Sequence, residues 1–152
     1  MSRKERKEEE RRLIEAQVDI VVDYLENDGV VVEFGGTING YFYEDELITI
    51  SNKQSAVSKL YTLLHEAGHH ILRTQVGRFK DSQRRPGRKN KSQRMEVLHE
   101  EFLAWDAGYD LAKELDLYID EDKWKNISHK HLYDYVSWAH KPIEFRRKYE
   151  KK

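Results

Sequence analysis

Two histidines and a glutamate stand at a fixed spacing in the segment His65-Glu66-Ala67-Gly68-His69. Residues four apart on a helix lie about one turn apart on the same face, so both imidazoles can reach a single ion. Zinc accepts neutral imidazole nitrogens at about 2.0–2.1 Å. Glu66 is offset by about 100° from His65, beside such an ion, where it can accept a proton from a metal-bound water. The spacing therefore predicts zinc ligands at His65 and His69 and a general base at Glu66.

The helix that carries these residues has a second, apolar face. It is formed by four residues at helical spacing: Leu60, Leu64, Ala67 and Ile71. This stripe predicts that the helix packs on a sheet, so that the histidines face another layer of protein or the edge of a cleft. Gly68 costs about 1 kcal/mol of helix propensity and is expected to leave room near a metal ion. His70 follows the motif directly, and both cleft lining and a surface position remain open for it.

A catalytic zinc site has three protein ligands and one open position, so a third ligand must come from elsewhere in the chain. The chain has no cysteine, and the later segment "MEVLHEEFLAWDAG" offers four candidates: Glu96, His99, Glu100 and Glu101. At about 100° per residue, Glu101 lies at the centre of the apolar face of that helix and Glu100 lies at its edge. Glu96 lies further round, and His99 is nearly opposite, on the solvent side.

A carboxylate in the middle of an apolar helix face needs a partner. Without one, burial costs several kcal/mol or forces the group to be neutral, and a cation removes this cost. We therefore predict that Glu101 is the third ligand and that Glu100 is the next candidate. A salt bridge from Glu101 to Arg94, or to an arginine of the loop before it, is the alternative explanation.

Helical and strand patterns predict the elements that position these residues. Helices are predicted over residues 1–26, 55–73, 92–115 and 128–140, and strands over 30–34, 41–43 and 47–50. Ser55 is a suitable N-cap for the motif helix, and Asn39-Gly40 is a hairpin signal. We predict a single α+β domain over residues 1–152, mainly helical, with a small, largely antiparallel N-terminal β-sheet packed on the motif helix.

Charge is unevenly distributed along the chain. Of the 152 residues 36% are charged, yet the formal net charge is −1. Charged residues crowd the N-terminal helix over residues 1–26 and the tail over residues 142–152. Residues 73–94 contain nine basic residues and one acidic residue, Asp81, which predicts a basic loop over residues 74–93. Since no apolar run could span a membrane or form a signal-peptide core, we predict a cytoplasmic protein.

With these residues the sequence resembles the gluzincins, zinc peptidases with H-E-x-x-H and a downstream glutamate, and among them the ImmA/IrrE-like metallopeptidases. The resemblance covers the strand "LITIS", the helix "LYTLLHEAGHHIL" and a later helix whose metal glutamate precedes an aromatic residue by one turn, here Glu101 and Trp105. The usual "E-A-N-x-F-A" of the family is "E-F-L-A-W-D" here. The SprT-like proteases are a second comparison, but they use a third histidine, and His99 lies on the wrong face.

The resemblance implies a zincin-like fold and hydrolysis of a peptide bond in a protein substrate, with a regulatory protein as the expected substrate class. One catalytic Zn²⁺ would be held by His65, His69 and Glu101, with Glu66 as general base on a zinc-bound water. Peptidases of this kind often add a Tyr or His donor for the oxyanion. The chain offers five such residues, each with a structural role as the alternative: Tyr109, His129, His131, Tyr133 and His140.

Two other functions remain open at this point. A nucleic-acid-binding or regulatory protein would use the zinc site structurally and the basic segment 73–94 as its contact surface, because dense basic clusters neutralise phosphates. Glu66 distinguishes the two hypotheses, since a structural site needs no base and usually has four protein ligands. A protein that keeps the fold but no longer cleaves is the second alternative.

Overall fold

The computed structural model describes residues 1–79 and 90–142, which form four helices and one small sheet. The elements in chain order are α1 (Arg3–Asn27), β1 (Val31–Gly36), β2 (Gly40–Phe42), β3 (Leu47–Ser51), α2 (Ala56–Thr74), α3 (Lys91–Glu114) and α4 (Glu121–His140). The predicted mainly helical α+β fold is therefore confirmed. Residues 80–89, half of the predicted basic loop 74–93, and all of the predicted tail 142–152 except its first residue lie outside the described residues.

The sheet has the strand order β1-β3-β2, with β3 in the middle. β1 is parallel to β3 and β2 is antiparallel to it, so the sheet is mixed and the prediction of a largely antiparallel sheet is wrong for β1. The hairpin expected at Asn39-Gly40 does not form, since β1 and β2 each pair with β3, and the Asn39 side chain is engaged at the end of β3. Its Oδ1 accepts hydrogen bonds from the backbone N–H of Ser51 (2.8 Å) and from Nε2 of Gln54 (3.0 Å). In the order β1-β3-β2, β2 is an edge strand.

Helix α2 lies at the centre of the molecule and contacts the other three helices, β2 and β3. Ser55 caps it as predicted, because its hydroxyl accepts a hydrogen bond from the backbone N–H of Ser58 (3.2 Å). Its apolar residues join a core with α1, the sheet, α3 and α4. Three of the four predicted stripe residues are fully buried and the fourth, Ile71, is half-buried. Burial of α2 on nearly all sides explains how a helix can hold polar groups away from solvent.

Helix α4 begins earlier than predicted. The expected start at residue 128 is wrong, since Asp120 is the N-cap and accepts a hydrogen bond from the backbone N–H of Lys123 (3.2 Å). Glu121 and Asp122 in the first turn favour this start because carboxylates stabilise the positive end of the helix dipole. The two additional turns bring Trp124 into the core.

Helices α2 and α3 cross at a very short distance, because each has a glycine where it meets the other. A Cβ added to Gly68 would overlap the backbone carbonyl of Ala104, and one added to Gly108 would overlap the carbonyl of Leu64. Gly68 therefore lies against the backbone of α3, so that its absent side chain leaves room for a helix and not for a metal ion. None of the helices formed by residues 1–79 and 90–142 combines the length and the apolar character needed to cross a membrane.

Candidate metal centre

His65 and His69 of α2 and Glu101 of α3 form one buried cluster. Each contributes a ligand atom, and these atoms all lie within 4.8 Å of one another. The two Nε2 atoms are 3.2 Å apart, and Glu101 carboxylate oxygens lie 3.4 Å from Nε2 of His65 and 2.6 Å from Nε2 of His69. The close crossing of the helices thus brings together the three residues that the sequence indicates as ligands.

The donor atoms of this cluster fit a single metal ion. Three ligand atoms at about 2.0–2.1 Å from a tetrahedral ion lie about 3.3 Å from one another, close to the observed spacing of the two histidine nitrogens. Both carboxylate oxygens of Glu101 lie against imidazole nitrogens: Oε2 is buried 2.6 Å from Nε2 of His69, and Oε1 is 3.0 Å from Nε2 of His131. Imidazole nitrogens and a carboxylate oxygen that converge in a buried place are the ligand types that zinc binds.

The charges in the cluster are consistent with the same conclusion. Burial lowers the pKa of His65 to about 4, which leaves its imidazole neutral, as a metal ligand must be. Burial would also lower the pKa of His69, but the charge of Glu101 and hydrogen bonds to Glu100 and Glu101 raise it to about 10. Burial would raise the pKa of Glu101, but His69 and hydrogen bonds from His131 and His65 hold it well below its usual range. In the metal-free protein, a proton on His69 therefore supplies the positive charge that a bound ion would bring.

Glu100 and Glu101 have different partners although they are neighbours. Glu101 meets both histidine Nε2 atoms, whereas Glu100 accepts a hydrogen bond from Nδ1 of His69, on the far side of the ring. Glu100 is fully buried between α2 and α3, deeper than its predicted position at the edge of the apolar face. The structure therefore favours Glu101 over Glu100 as the ligand, while Glu96 and His99 are exposed.

The alternative partner for Glu101, Arg94, is engaged at another place. Its Nη1 donates to the backbone carbonyl oxygens of Trp138 (3.2 Å) and Lys141 (2.5 Å), at the C-terminal end of α4. Cations at this end of a helix are stabilised by the helix dipole. Within residues 1–79 and 90–142 no arginine pairs with Glu101, Arg78 of the basic loop included, and the other loop arginines of the same hypothesis lie outside those residues.

Glu66 lies beside the cluster, as the offset along the helix predicts. Its Oε1 is 3.7 Å from Nε2 of His65. Burial raises the pKa of Glu66 to about 7, which suits a group that must both take up and release a proton near neutral pH. Glu66 has no closer ion-pair partner among the described residues, so its carboxylate is available at the cleft surface.

A cleft of about 350 Å³ opens over the cluster. α2, α3 and α4 line it together with β2 and the residues just before that strand. Its lining includes Glu66 and all three ligand candidates. Apolar and aromatic side chains cover much of the remaining wall, among them Ile38, Phe42, Trp105 and Ile127. The ring of Trp105 also stacks on His65, with ring centroids 4.2 Å apart, and so holds that imidazole in place.

Of the five oxyanion candidates, His131 is the one that lines the cleft. Its Nε2 lies 3.0 Å from Oε1 of Glu101, so His131 can orient that carboxylate. The hydroxyl of Tyr109 donates to Glu121, outside the cleft, and the side chains of the other three candidates are exposed: His129, Tyr133 and His140. These four residues are therefore not brought to the cluster.

Tyr135 is a cleft residue that the sequence reasoning missed. It follows His131 by one helical turn, and their rings lie 5.0 Å apart. Burial, followed by the charge of Glu101, raises the pKa of Tyr135 well above its usual value, so the phenol keeps its proton and can donate a hydrogen bond. The i, i+4 spacing from His131 was the signal that could have identified it.

His70 is buried, so a surface position is excluded for it. Its Nδ1 is 3.1 Å from the hydroxyl of Tyr41, and its Nε2 is 2.5 Å from Oδ2 of Asp28. Both ring nitrogens are engaged, so His70 is not available as a ligand. It links the end of α1 to Tyr41, which lines the cleft from β2.

The cleft thus combines five residues: three candidate metal ligands, one further carboxylate and a tyrosine. Three of the five come from α2, one from α3 and one from α4, so the cluster depends on the tertiary fold. A buried His65, His69 and Glu101 cluster of this kind could hold a metal ion. No family model, curated protein or solved structure matches this chain.

Proposed function

We propose that this chain is a zinc-dependent metallopeptidase that hydrolyses a peptide bond in a protein substrate. The observation that carries the proposal is the cluster itself: three buried ligand groups meet at the floor of a cleft, beside a carboxylate that is not a ligand. Three protein ligands with an open side are typical of catalytic zinc sites, whereas structural sites are closed by a fourth. The motif resemblance to the ImmA/IrrE-like metallopeptidases supports the same activity.

The metal and Glu66 have complementary roles in this proposal. Zinc held by His65, His69 and Glu101 would polarise the scissile carbonyl and make water more acidic. Glu66 accepts a proton from the attacking water as the new C–O bond forms. It then gives that proton to the amine nitrogen as the C–N bond breaks, so that the carboxylate is restored at the end of the cycle.

Tyr135 is the donor that we assign to the oxyanion formed on the scissile carbonyl. Its hydroxyl belongs to a side chain that lines the cleft, and it stays protonated at neutral pH. His131 and Tyr135 both hydrogen-bond to Glu101, and the phenol is the one of the two whose pKa burial raises, so that it keeps a proton to donate. Donors placed where charge develops in the transition state lower the barrier because they need no reorganisation during the reaction.

The shape of the cleft favours an extended polypeptide as substrate. β2 lines the cleft and pairs only with β3 among the described strands, so one of its edges can accept backbone hydrogen bonds from an extended chain. Apolar side chains such as Ile38 and Phe42 would contact substrate side chains. The expectation of a regulatory protein as the natural substrate still rests on the family resemblance.

Cleavage assays with the full chain test the proposed activity. The zinc-loaded protein should generate new amino termini from unfolded proteins and from a peptide library, as identified by mass spectrometry. Removal of zinc with a chelator should abolish cleavage, and added zinc should restore it. The His69→Ala variant is the control for a contaminating protease. Cleavage that persists in this variant, or no cleavage by the zinc-loaded wild type, would contradict the proposal.

Substitution of Tyr135 separates the oxyanion donor from a merely structural tyrosine. Tyr135→Phe should lower kcat about 10²–10³-fold, with little change in zinc affinity, because one transition-state donor is lost. Tyr133→Phe is the matched control, since Tyr133 lies on the same helix and is 71% exposed. Steady-state kinetics on a cleaved peptide measure both variants. Equal kcat values for the two would assign the oxyanion to another donor.

A further inference from the structure

A fully buried ion pair lies behind the metal cluster, where the proposed reaction does not use it. Arg73 donates from Nε to Oε2 of Glu100 (3.2 Å) and from Nη2 to Oε1 (3.0 Å). Both side chains are almost completely buried. Pairs of this kind often contribute little net stability, because the cost of desolvating two charges offsets their attraction. Stability alone is therefore a weak explanation for a pair at this place beside the cluster.

The pair acts on one specific atom of the cluster. Glu100 accepts a hydrogen bond from Nδ1–H of His69, while Nε2 of the same ring faces Glu101 and His65. A carboxylate can only accept, so this contact keeps a proton on Nδ1 and leaves Nε2 as the nitrogen that can give up its proton and offer a lone pair to a metal ion. Glu100 thereby selects the tautomer of His69 that can bind a metal.

Arg73 in turn fixes the position of the Glu100 carboxylate. It engages both carboxylate oxygens of Glu100, in the parallel geometry that makes arginine–carboxylate pairs directional. This contact holds the Glu100 carboxylate on the Nδ1 side of His69. Two adjacent glutamates of α3 are thus separated: Glu101 reaches the ligand side of the imidazole and Glu100 the opposite side.

We infer that Arg73 and Glu100 are positioning residues for the metal site, which fix the tautomer and orientation of His69 and keep Glu100 from acting as a ligand. The inference rests on metal binding by the cluster, which is part of the proposed function. Groups that hydrogen-bond to ligand histidines orient the ring and raise its basicity, and their loss typically weakens metal affinity about 10–100-fold.

Zinc affinity and the protonation pattern of His69 test this inference together. Zinc dissociation constants are measured by competition with a chromophoric chelator, and the His69 tautomer is read from ¹⁵N chemical shifts of labelled imidazoles in the zinc-loaded protein, where the ring is neutral. Glu100→Gln should weaken zinc binding about 10–100-fold. The double variant Arg73→Met/Glu100→Leu removes both charges together and keeps the interior filled, so it should fold even if the single variant does not. It should show the same loss of affinity and a mixture of His69 tautomers.

A second histidine of α2, His70, also contacts a carboxylate, and this contact provides the matched control. Asp28→Asn removes the charged partner of His70, the residue next to His69, without touching the ligands. Its zinc affinity should remain within about twofold of wild type, well below the loss expected for Glu100. If a folded Glu100 or double variant also binds zinc like wild type, the inference is overturned while the proposed function stands. If the wild type itself binds no zinc, both fail.

Discussion

The Glu66→Gln variant is expected to bind zinc as tightly as the wild type and to cleave peptide bonds about 10²–10⁴-fold more slowly. Glutamine has nearly the shape of glutamate but cannot accept the proton of the attacking water, and general-base catalysis contributes about this much to such reactions. Zinc affinity should be retained because Glu66 is not a member of the ligand cluster. The measurement is kcat/KM on a peptide that the wild type cleaves, together with a zinc titration of both proteins.

A shorter carboxylate at the same position refines this test. Glu66→Asp keeps an acceptor but displaces it by one methylene, so its rate should fall between those of the wild type and Glu66→Gln. Misplacement of a catalytic group by about 1 Å can cost roughly 10²-fold. A Glu66→Gln variant with wild-type kcat/KM would show that Glu66 is not the base, even if the site binds zinc.

Gly68→Ala should destabilise the fold and disrupt metal binding, although helix propensity alone predicts the opposite. Alanine is favoured over glycine by about 1 kcal/mol inside a helix. The added Cβ, however, would overlap the backbone carbonyl of Ala104, which cannot move away like a flexible side chain. Overpacking typically costs about 1–3 kcal/mol, and forced separation of α2 and α3 would move Glu101 away from the two histidines. We therefore expect a lower free energy of unfolding and weaker zinc binding.

A glycine outside the helix crossing serves as the control for this substitution. A Cβ on Gly36 would come no closer than 3.9 Å to another residue, so Gly36→Ala should change the free energy of unfolding by less than about 0.5 kcal/mol. Denaturant unfolding and a zinc titration measure both variants. A Gly68→Ala protein more stable than wild type, with normal zinc affinity, would mean that the two helices have room between them.

Local patterns were sufficient to predict the ligand candidates. Spacing along one helix groups His65 with His69, and the position of Glu101 on its own helix follows from the apolar residues around it. The same reasoning predicted the Ser55 cap of α2, because capping depends on neighbouring residues. These predictions are independent of how the elements pack on one another.

Features that depend on contacts between distant residues were missed. The direction of β1 was wrong because β1 pairs with β3, further along the chain, and not with β2 across the local hairpin signal at Asn39-Gly40. Arg73 was assigned to a basic segment, yet its partner Glu100 lies on another helix. Gly68 was predicted to leave room near a metal ion, because the pattern of one helix does not reveal where another helix crosses it. The relative placement of helices and strands, and not the pattern along any one of them, decides each of these cases.

Native mass spectrometry combined with X-ray absorption spectroscopy of the zinc-reconstituted chain tests the metal site most directly. Mass spectrometry counts the metal ions per chain, and absorption spectroscopy identifies the ligand atoms. The expected result is one zinc ion per chain, bound by two imidazoles, one carboxylate and one ligand that is not from the protein, and lost in Glu101→Ala. Absence of zinc after reconstitution, or a site closed by four protein ligands, would contradict the assignment of this cleft as a catalytic zinc centre.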